Sequence, residues 1–258
     1  PDERGLMPGT LIDAVIADAA SKNIRPDLMP EFLEAMKKGA TSQSKNSNYG
    51  RRGTKDYLKL GYVPLTHHES VNHTLDYAFS DYCISQVAKQ TGDKEISDFY
   101  AHQAKNYQNI FDSETGFMRA KDADGNFRPD FLDIRWGRDY AEGSAWQTSW
   151  SVLHDFAGLI KLHGSRENFE NKLIELCNQR PNFNVEGYGF EIHEMSEMAA
   201  IEFGQVAISN QPSFHYPYLF SYIGKPWMAT PLIKNLLTET FNDSPKGYPC
   251  LLYTSPSP

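Results

Sequence analysis

Apolar residues recur every three to four positions along most of this chain, the spacing that places them on one face of an α-helix. The longest regular stretch runs from about Ser70 to Gln90, and Gly92 follows it as a helix-ending residue. Lys94 begins a second stretch that reaches about Ile110, so the two predict an antiparallel helical hairpin. We predict further helices over residues 10–20, 143–163, 166–178, 194–207, 214–222 and 226–240, and one that begins at Pro30.

The segments between these helices are polar and rich in turn-forming residues. Residues 41–53 combine Gly, Ser and Asn, which predicts a loop long enough to serve a function. Residues 111–138 lack a period, and residues 122–125 within them predict an ordinary turn, because the later ligands of a calcium-binding loop are missing. The alternation typical of strands is nearly absent. The pattern therefore predicts an all-α architecture of antiparallel hairpins, either a bundle or an α/α toroid.

Composition and charge narrow the function classes. The 258 residues are 40% apolar and 22% charged, which suits one large globular domain or two small ones. The net charge is -8 and no basic cluster stands out beyond Arg51-Arg52, so nucleic acid is not expected as a partner. No apolar run approaches the roughly 20 residues that cross a bilayer, so no membrane span is expected.

The aromatic and cysteine residues add less. Fourteen Tyr, fifteen Phe and four Trp suit a protein that holds sugars, because aromatic faces stack on pyranose rings, but aromatic residues also fill cores. Cys83, Cys177 and Cys250 have no metal-binding spacing and imply no disulfide framework. The cysteines therefore do not identify a cellular compartment.

The stretch from Tyr140 to Trp150 holds the strongest candidate for catalysis. Glu142 is followed by three small residues and then by Trp146 and Trp150, which share a face on a helix. A carboxyl group beside aromatic surface loses hydration, which raises its pKa and lets it act as a general acid. A helix start has the opposite effect, because its dipole stabilises the anion. The alternative is a surface Glu142 at a helix start, with both indoles in the core.

Asp18 is a second candidate for a polar role. On the first predicted helix Leu11, Ala14 and Val15 recur at helical spacing, and Asp18 falls on or near their apolar face. A buried Asp requires partners. Asp18 is therefore expected to be either a structural hydrogen-bond acceptor or a ligand of a sugar hydroxyl.

Several segments together resemble glycoside hydrolase family 92, the calcium-dependent exo-acting α-mannosidases. The resemblance covers about residues 6–249. Its segments are residues 5–9 with 13–19, residues 50–53 with 57–64, and residues 70–81, 111–118, 140–150 and 209–215. The segment 140–150 resembles the catalytic-acid block of the family, and 209–215 resembles a metal-site block.

The resemblance implies a fold, a reaction and a location. Members pair an N-terminal β-sandwich with an (α/α)6 barrel, so residues 1–249 are expected to form a partial (α/α)6 catalytic domain that lacks the sandwich. The expected activity is removal of terminal mannose from N-glycans or mannans with inversion. The expected partner is a mannose-containing oligosaccharide or a glycoprotein glycan, and the expected location is secreted or periplasmic.

The resemblance also implies roles for individual residues. Glu142 is expected to be the general acid, and Asn210 and Gln211 are expected to bind Ca²⁺. Many members have Glu where this chain has Gln211, and an amide oxygen ligates calcium without adding charge. The residues expected to bind substrate are Asp18, Trp146, Gln147 and His215.

The end of the chain departs from the family. After residue 249 members continue with an acidic block whose aspartates activate water, whereas residues 250–258 here do not resemble it and are predicted to be a non-native, vector-like tail. The general base is then expected outside this sequence, and the chain by itself is expected to be inactive. Two alternatives stay open: a non-catalytic carbohydrate-binding α-toroid, and another α/α-barrel enzyme such as a glucosidase.

Overall fold

A computed structural model describes residues 10–42, 46 and 49–241 of the chain. The predicted segment at residues 5–9, part of the predicted loop at 41–53, and the predicted tail at 250–258 lie outside the described residues. Within the described part no helix is long and apolar enough to cross a membrane.

The described chain is mostly helical. The α-helices are α1 (Ile12–Ser21), α2 (Met29–Thr41), α3 (Thr54–Leu60), α4 (Ser70–Thr91), α5 (Lys94–Gln103), α6 (Ala145–Thr148), α7 (Phe156–Leu162), α8 (Arg166–Asn178), α9 (His193–Ile201), α10 (Leu219–Tyr222) and α11 (Pro226–Glu239). Short 3₁₀ turns occupy Pro26–Leu28, Asn106–Ile110, Gln211–Ser213 and Tyr216–Tyr218. Helical pairs were expected, whereas closure of these helices into a partial (α/α)6 barrel stays a prediction.

Helix α4 is the centre of the N-terminal half. It packs against α1, α2 and α5, and the antiparallel pairing of α4 with α5 confirms the predicted hairpin. Gly92 ends α4 in the left-handed conformation, with φ of 82°. Ile84, Val87 and Ala88 of α4 are fully buried against α2 and α5. A helix that is packed on several sides has apolar or small residues on each of those sides. Helix α4 is therefore a buried helix and not a surface helix.

The larger core lies in the C-terminal half. Trp146 and Trp150 are both 1% exposed and pack in one cluster with Phe169 and Leu173 of α8 and with Tyr216. This cluster fixes the chain on both sides of α6. Both indoles therefore lie in the core, as the alternative interpretation of this stretch expected, and contact of Trp146 with substrate stays a prediction.

The predicted helix over residues 143–163 is wrong, because the structure has two short helices there. Ser144 begins α6 with a capping box formed with Gln147, and α6 ends at Thr148. Asp155 begins α7 by accepting a hydrogen bond from the backbone N–H of Gly158. An N-cap residue can start a new helix while the apolar residues on both sides of it keep the same helical spacing. That spacing therefore did not reveal the break.

Two pairs of short strands also interrupt the helical pattern. Strands β1 (Phe111–Asp112) and β2 (Phe117–Met118) pair antiparallel, and β3 (Arg135–Gly137) pairs parallel with β4 (Asn184–Gly187). Strands of two to four residues leave almost no alternation to detect. The β3–β4 pair matters most, because it brings two distant segments of the chain together.

Helix α1 has a different orientation from the predicted one. Leu11 and Val15 are 52% and 63% exposed, and Asp18 is exposed and paired with Lys22. Asp13 is the buried acid of α1. The physical reason is an ion pair: Asp13 lies 3.6 Å from the buried guanidinium of Arg51, and burying a charge requires such a partner. The expectation that Asp18 lies on the buried face is therefore wrong.

Candidate active site

Glu142 lies in a strained turn before α6. Its φ is 45°, in the left-handed region that a residue with a side chain adopts at a cost. It precedes Ser144, the N-cap of α6, by two residues, so it stands outside the helix rather than at its first turn. Its side chain is half-buried. A strained backbone persists only when surrounding contacts over-determine it.

Three contacts hold the backbone of this turn. The N–H of Ala141 donates to Asn72 Oδ1 of α4 at 3.0 Å, and the N–H of Glu142 donates to the hydroxyl of Tyr188 at 2.8 Å. The N–H of Gly137 donates to the carbonyl of Gly143 at 3.1 Å. Together these hydrogen bonds tie the turn to α4, to β3 and to the segment after β4.

The position of Tyr188 depends on close packing between β3 and β4. A Cβ at Gly187 would lie 2.0 Å from the carbonyl oxygen of Trp136, so only glycine lets the two backbones approach this closely. A Cβ at Gly137 would lie 2.8 Å from Cδ2 of Tyr188. The Tyr188 ring therefore lies directly on the backbone of Gly137, and its hydroxyl reaches Glu142.

Asn210 contacts the side chain of Glu142. Its Nδ2 donates to Glu142 Oε2 at 3.1 Å, and the Asn210 side chain is almost completely buried. The turn that carries it is fixed by the N–H of Asn210, which donates to the carbonyl of Ala207 at 2.9 Å. Oδ1 of Asn210 is buried and has no hydrogen-bond partner among the described residues. That oxygen is therefore available to a ligand.

Further carboxyl groups lie near Glu142. Burial is the main cause of the raised pKa values of Glu69 and Glu194, and the charge of Glu142 adds to both. On α4, burial and then the charge of Glu69 raise the pKa of Asp76 to about 7. Burial lowers the pKa of His73 to about 3. Such a concentration of shifted groups is typical of a functional site.

The predicted substrate-binding residues have other partners in the structure. Trp146 is in the core and its Nε1 donates to Asp133 at 3.0 Å. Gln147 caps α6 and its Nε2 donates to the carbonyl of Gln205 at 2.7 Å. His215 Nε2 lies 2.9 Å from the carbonyl oxygen of Trp150. These contacts give the three residues a supporting role, and their contact with substrate stays a prediction, as does that of the exposed Asp18.

The structure adds residues that the sequence reasoning missed. Glu69, Asn72, Tyr188 and Glu194 all lie around the Glu142 turn. Glu69 directly precedes the clearest predicted helix, and a polar residue at such a position was the available signal. Tyr188 had no signal, because it depends on a parallel strand pair between segments nearly 50 residues apart.

The calcium ligands expected from the sequence fit the structure in part. Oδ1 of Asn210 is an unpaired buried oxygen, which is the type of atom that Ca²⁺ prefers. Gln211 is exposed, with its amide at the surface. Among the described residues no group of three or more His, Cys, Asp or Glu is arranged to hold a metal ion. Asn210 is therefore the residue whose geometry favours a calcium ligand.

Comparisons with known proteins place this chain in a family. Residues 1–250 match the profile described as the glycosyl hydrolase family 92 catalytic domain. A family GH92 inverting mannosidase from Bacteroides thetaiotaomicron has a similar structure, with a TM-score of 0.84 and 39% identity over 96% of this chain and 34% of that chain. A second GH92 α-mannosidase from that species, solved with mannoimidazole, has a TM-score of 0.81 and 28% identity, covering 95% and 32%.

A sequence relative has a matching description. An uncharacterised secreted glycosidase of Arthroderma benhamiae is 26% identical over an alignment of 275 positions, which covers 93% of this chain and 32% of the relative. The chain thus spans about a third of the length of the proteins that it matches. It belongs to glycosyl hydrolase family 92, a family of glycosidases, and its residues 1–250 match the catalytic domain of that family.

Proposed function

We propose that the protein containing this chain is an exo-acting α-mannosidase that removes terminal mannose with inversion, and that Glu142 is its general acid. The observation that carries the proposal is the turn of Glu142, which is held by hydrogen bonds, with Asn210 hydrogen-bonded to one carboxyl oxygen and the carboxyl groups of Glu69 and Glu194 nearby. Two of the similar structures are mannosidases, which supports the choice of substrate. A mannose-containing oligosaccharide or glycoprotein glycan is the proposed partner.

The contacts of Glu142 suggest how it donates its proton. Asn210 Nδ2 donates to Oε2, so Oε2 acts as an acceptor. The transferable proton is then held on Oε1, which we place toward the glycosidic oxygen of the substrate. Proton transfer to that oxygen lets the leaving sugar depart as an alcohol rather than as an alkoxide.

Inversion needs a second carboxylate as base, roughly 6.5–9.5 Å from the acid, to accept a proton from the attacking water. Following the family resemblance, we propose that the base comes after residue 249, and we assign none to the described residues. Asn210 and Gln211 are the proposed calcium ligands. A bound Ca²⁺ supplies positive charge that orients the mannose hydroxyl groups and favours a distorted ring. We also propose secretion or a periplasmic location, which the description of the fungal relative supports.

The test replaces the acid in the full-length protein. Glu142→Gln should lower turnover of natural, poor-leaving-group mannosides by roughly 10² to 10⁴, because the amide has no proton to transfer. It should spare dinitrophenyl mannosides, whose leaving group needs no proton. Glu31→Gln, at an exposed position in α2, is the matched control and should retain full activity.

Two outcomes would contradict the proposal. Near-full activity of Glu142→Gln on natural mannosides would exclude Glu142 as the acid. A full-length protein that binds mannosides without hydrolysing them would instead be the non-catalytic, sugar-binding α-toroid.

A further inference from the structure

Tyr188 connects the β3–β4 pair to the acid turn by one hydroxyl group. That hydroxyl accepts the hydrogen bond from the backbone N–H of Glu142 at 2.8 Å. Its ring rests on Gly137, where a Cβ would lie within 3 Å of two ring carbons. Gly137 in turn donates its N–H to the carbonyl of Gly143, the residue after Glu142. Tyr188 and Gly137 therefore hold the peptide groups on either side of the Glu142–Gly143 peptide, in the same turn.

The surroundings of the hydroxyl keep it neutral. Burial raises the pKa of Tyr188 to about 12, and the charges of Glu69, Glu142 and Glu194 act in the same direction. A neutral phenol accepts a hydrogen bond and also keeps its own proton. The oxygen can therefore accept from the Glu142 N–H at any pH at which a glycosidase works.

The bond matters because of the backbone that it holds. Glu142 has a φ of 45°, which is an unfavourable conformation for a residue with a side chain. Without hydrogen bonds to its peptide groups, Glu142 would adopt a more favourable backbone conformation. A rotation about that φ would swing the carboxyl group relative to Asn210, whose Nδ2 is 3.1 Å from Oε2. The backbone bond to Tyr188 and the side-chain bond to Asn210 thus fix the same carboxyl group at its two ends.

We propose that Tyr188 is the positioning residue of the general acid: its hydroxyl, through the N–H of Glu142, holds the left-handed turn that aims the carboxyl group at the leaving oxygen. The inference rests on the proposed role of Glu142. Tyr188 acts through Glu142. Its ring packs on Gly137, and its hydroxyl group holds the turn.

The substitution Tyr188→Phe in the full-length protein separates these two contributions, because it keeps the ring and removes the hydrogen-bond acceptor. Turnover of natural mannosides should fall about 10- to 100-fold, because misplacement of a catalytic group by about 1 Å has an effect of this size. Turnover of dinitrophenyl mannosides should change less than about threefold, because their departure does not need the acid. A purely structural role would lower both rates equally.

The matched control is Tyr62→Phe. The Tyr62 hydroxyl donates to the carbonyl of Asp122 at 2.8 Å, so the substitution removes one hydroxyl and one backbone hydrogen bond outside the acid turn. It should lower both rates by the same factor or by none. The ratio of the two rates is the readout, and it is independent of the amount of folded protein.

A second measurement does not depend on activity. Amide hydrogen exchange resolved at Glu142 should be at least about tenfold faster in Tyr188→Phe than in the parent, because the amide loses its acceptor. Unchanged exchange, or equal loss of both rates, would overturn the role of Tyr188. If the rate loss depends on the leaving group in Glu142→Gln but not in Tyr188→Phe, the positioning role alone is overturned. If the rate loss does not depend on the leaving group in Glu142→Gln either, the proposed function is overturned as well.

Discussion

Backbone strain is concentrated around Glu142. Glu69, Arg138 and Glu142 all have φ between 45° and 59°, and the N–H of Glu69 donates to the carbonyl of Arg138 at 2.8 Å. Each such residue costs of order 1–3 kcal/mol. These three strained residues lie in one turn or contact each other. The surrounding fold therefore stabilises a backbone geometry that the local sequence disfavours. Strain of this kind is typical of functional sites.

Calcium dependence can be tested at Gln211. A chelator should abolish mannoside hydrolysis by the full-length protein, and added Ca²⁺ should restore it. Gln211→Glu should bind calcium more tightly, because a carboxylate adds a negative charge to the proposed site. Calorimetry measures the binding directly and does not depend on activity.

The matched control for that variant is Gln90→Glu, which adds the same charge at an exposed position near the end of α4. It should leave calcium affinity unchanged. Activity that ignores chelators, or an equal gain in affinity in both variants, would show that residues 210 and 211 do not hold the ion.

The turn that contains Glu142 depends on the pairing of strands β3 and β4. Gly187→Ala would place a Cβ 2.0 Å from the carbonyl oxygen of Trp136, so the two strands must separate. We expect a loss of about 1–3 kcal/mol in the free energy of unfolding. Chemical denaturation of this chain measures the loss.

Gly39→Ala is the comparison for that substitution. No atom lies within 4 Å of a Cβ at Gly39, which is in the helix α2. Alanine there should leave stability unchanged or raise it by about 0.5–1 kcal/mol. Equal effects of the two substitutions would show that the close approach at Gly187 contributes nothing.

Elements could be predicted from the sequence where periodicity and tertiary packing agree. Helices α4, α8 and α11 lie close to their predicted bounds, because each has caps or breaking residues at the ends of one regular stretch. At Gly204 two backbone segments approach closely, since a Cβ there would lie 2.2 Å from the carbonyl oxygen of Leu176. The predicted helix over 194–207 nevertheless ends at Ile201, where Glu202 adopts φ of 53°.

The candidate site was predictable only where chemistry lies within one short segment. Glu142 and Asn210 were identified from the blocks around them, and the structure joins them by a direct hydrogen bond. Tyr188 and Asn72 reach the same turn from other segments. Contacts of this kind depend on the packing of whole elements, which a local pattern of residues does not contain.

Buried histidines make the stability of the whole molecule depend on pH. Burial lowers the pKa of His163 to about 4, with the charge of Lys172 adding to the effect. Its ring packs against Trp150, Phe169 and Phe111. Between pH 6.5 and 4 the unfolded chain binds a proton that the folded chain does not, so stability falls as the pH falls.

The prediction is a loss of about 2 kcal/mol from His163 between pH 7 and pH 5, measured by denaturant unfolding of this chain. His163→Phe keeps an aromatic ring and should reduce the fall by about that amount. His102→Phe, at an exposed position in α5, should not reduce it. An equal fall in the parent and in His163→Phe would show that other groups cause the acid sensitivity.

The hydrogen bonds around Glu142 also impose an order in time. Asn72 leaves the ribosome before Glu142, whereas Tyr188 and Asn210 are synthesised 46 and 68 residues after it. Contacts between such distant residues form later than the local contacts of a helix. A nascent chain that already has α4 and α5 therefore still carries Glu142 as an ordinary, unaligned glutamate. The hydrogen bonds that hold Glu142 are complete only when the tertiary structure is complete, so an unfinished chain has helices but no aligned Glu142.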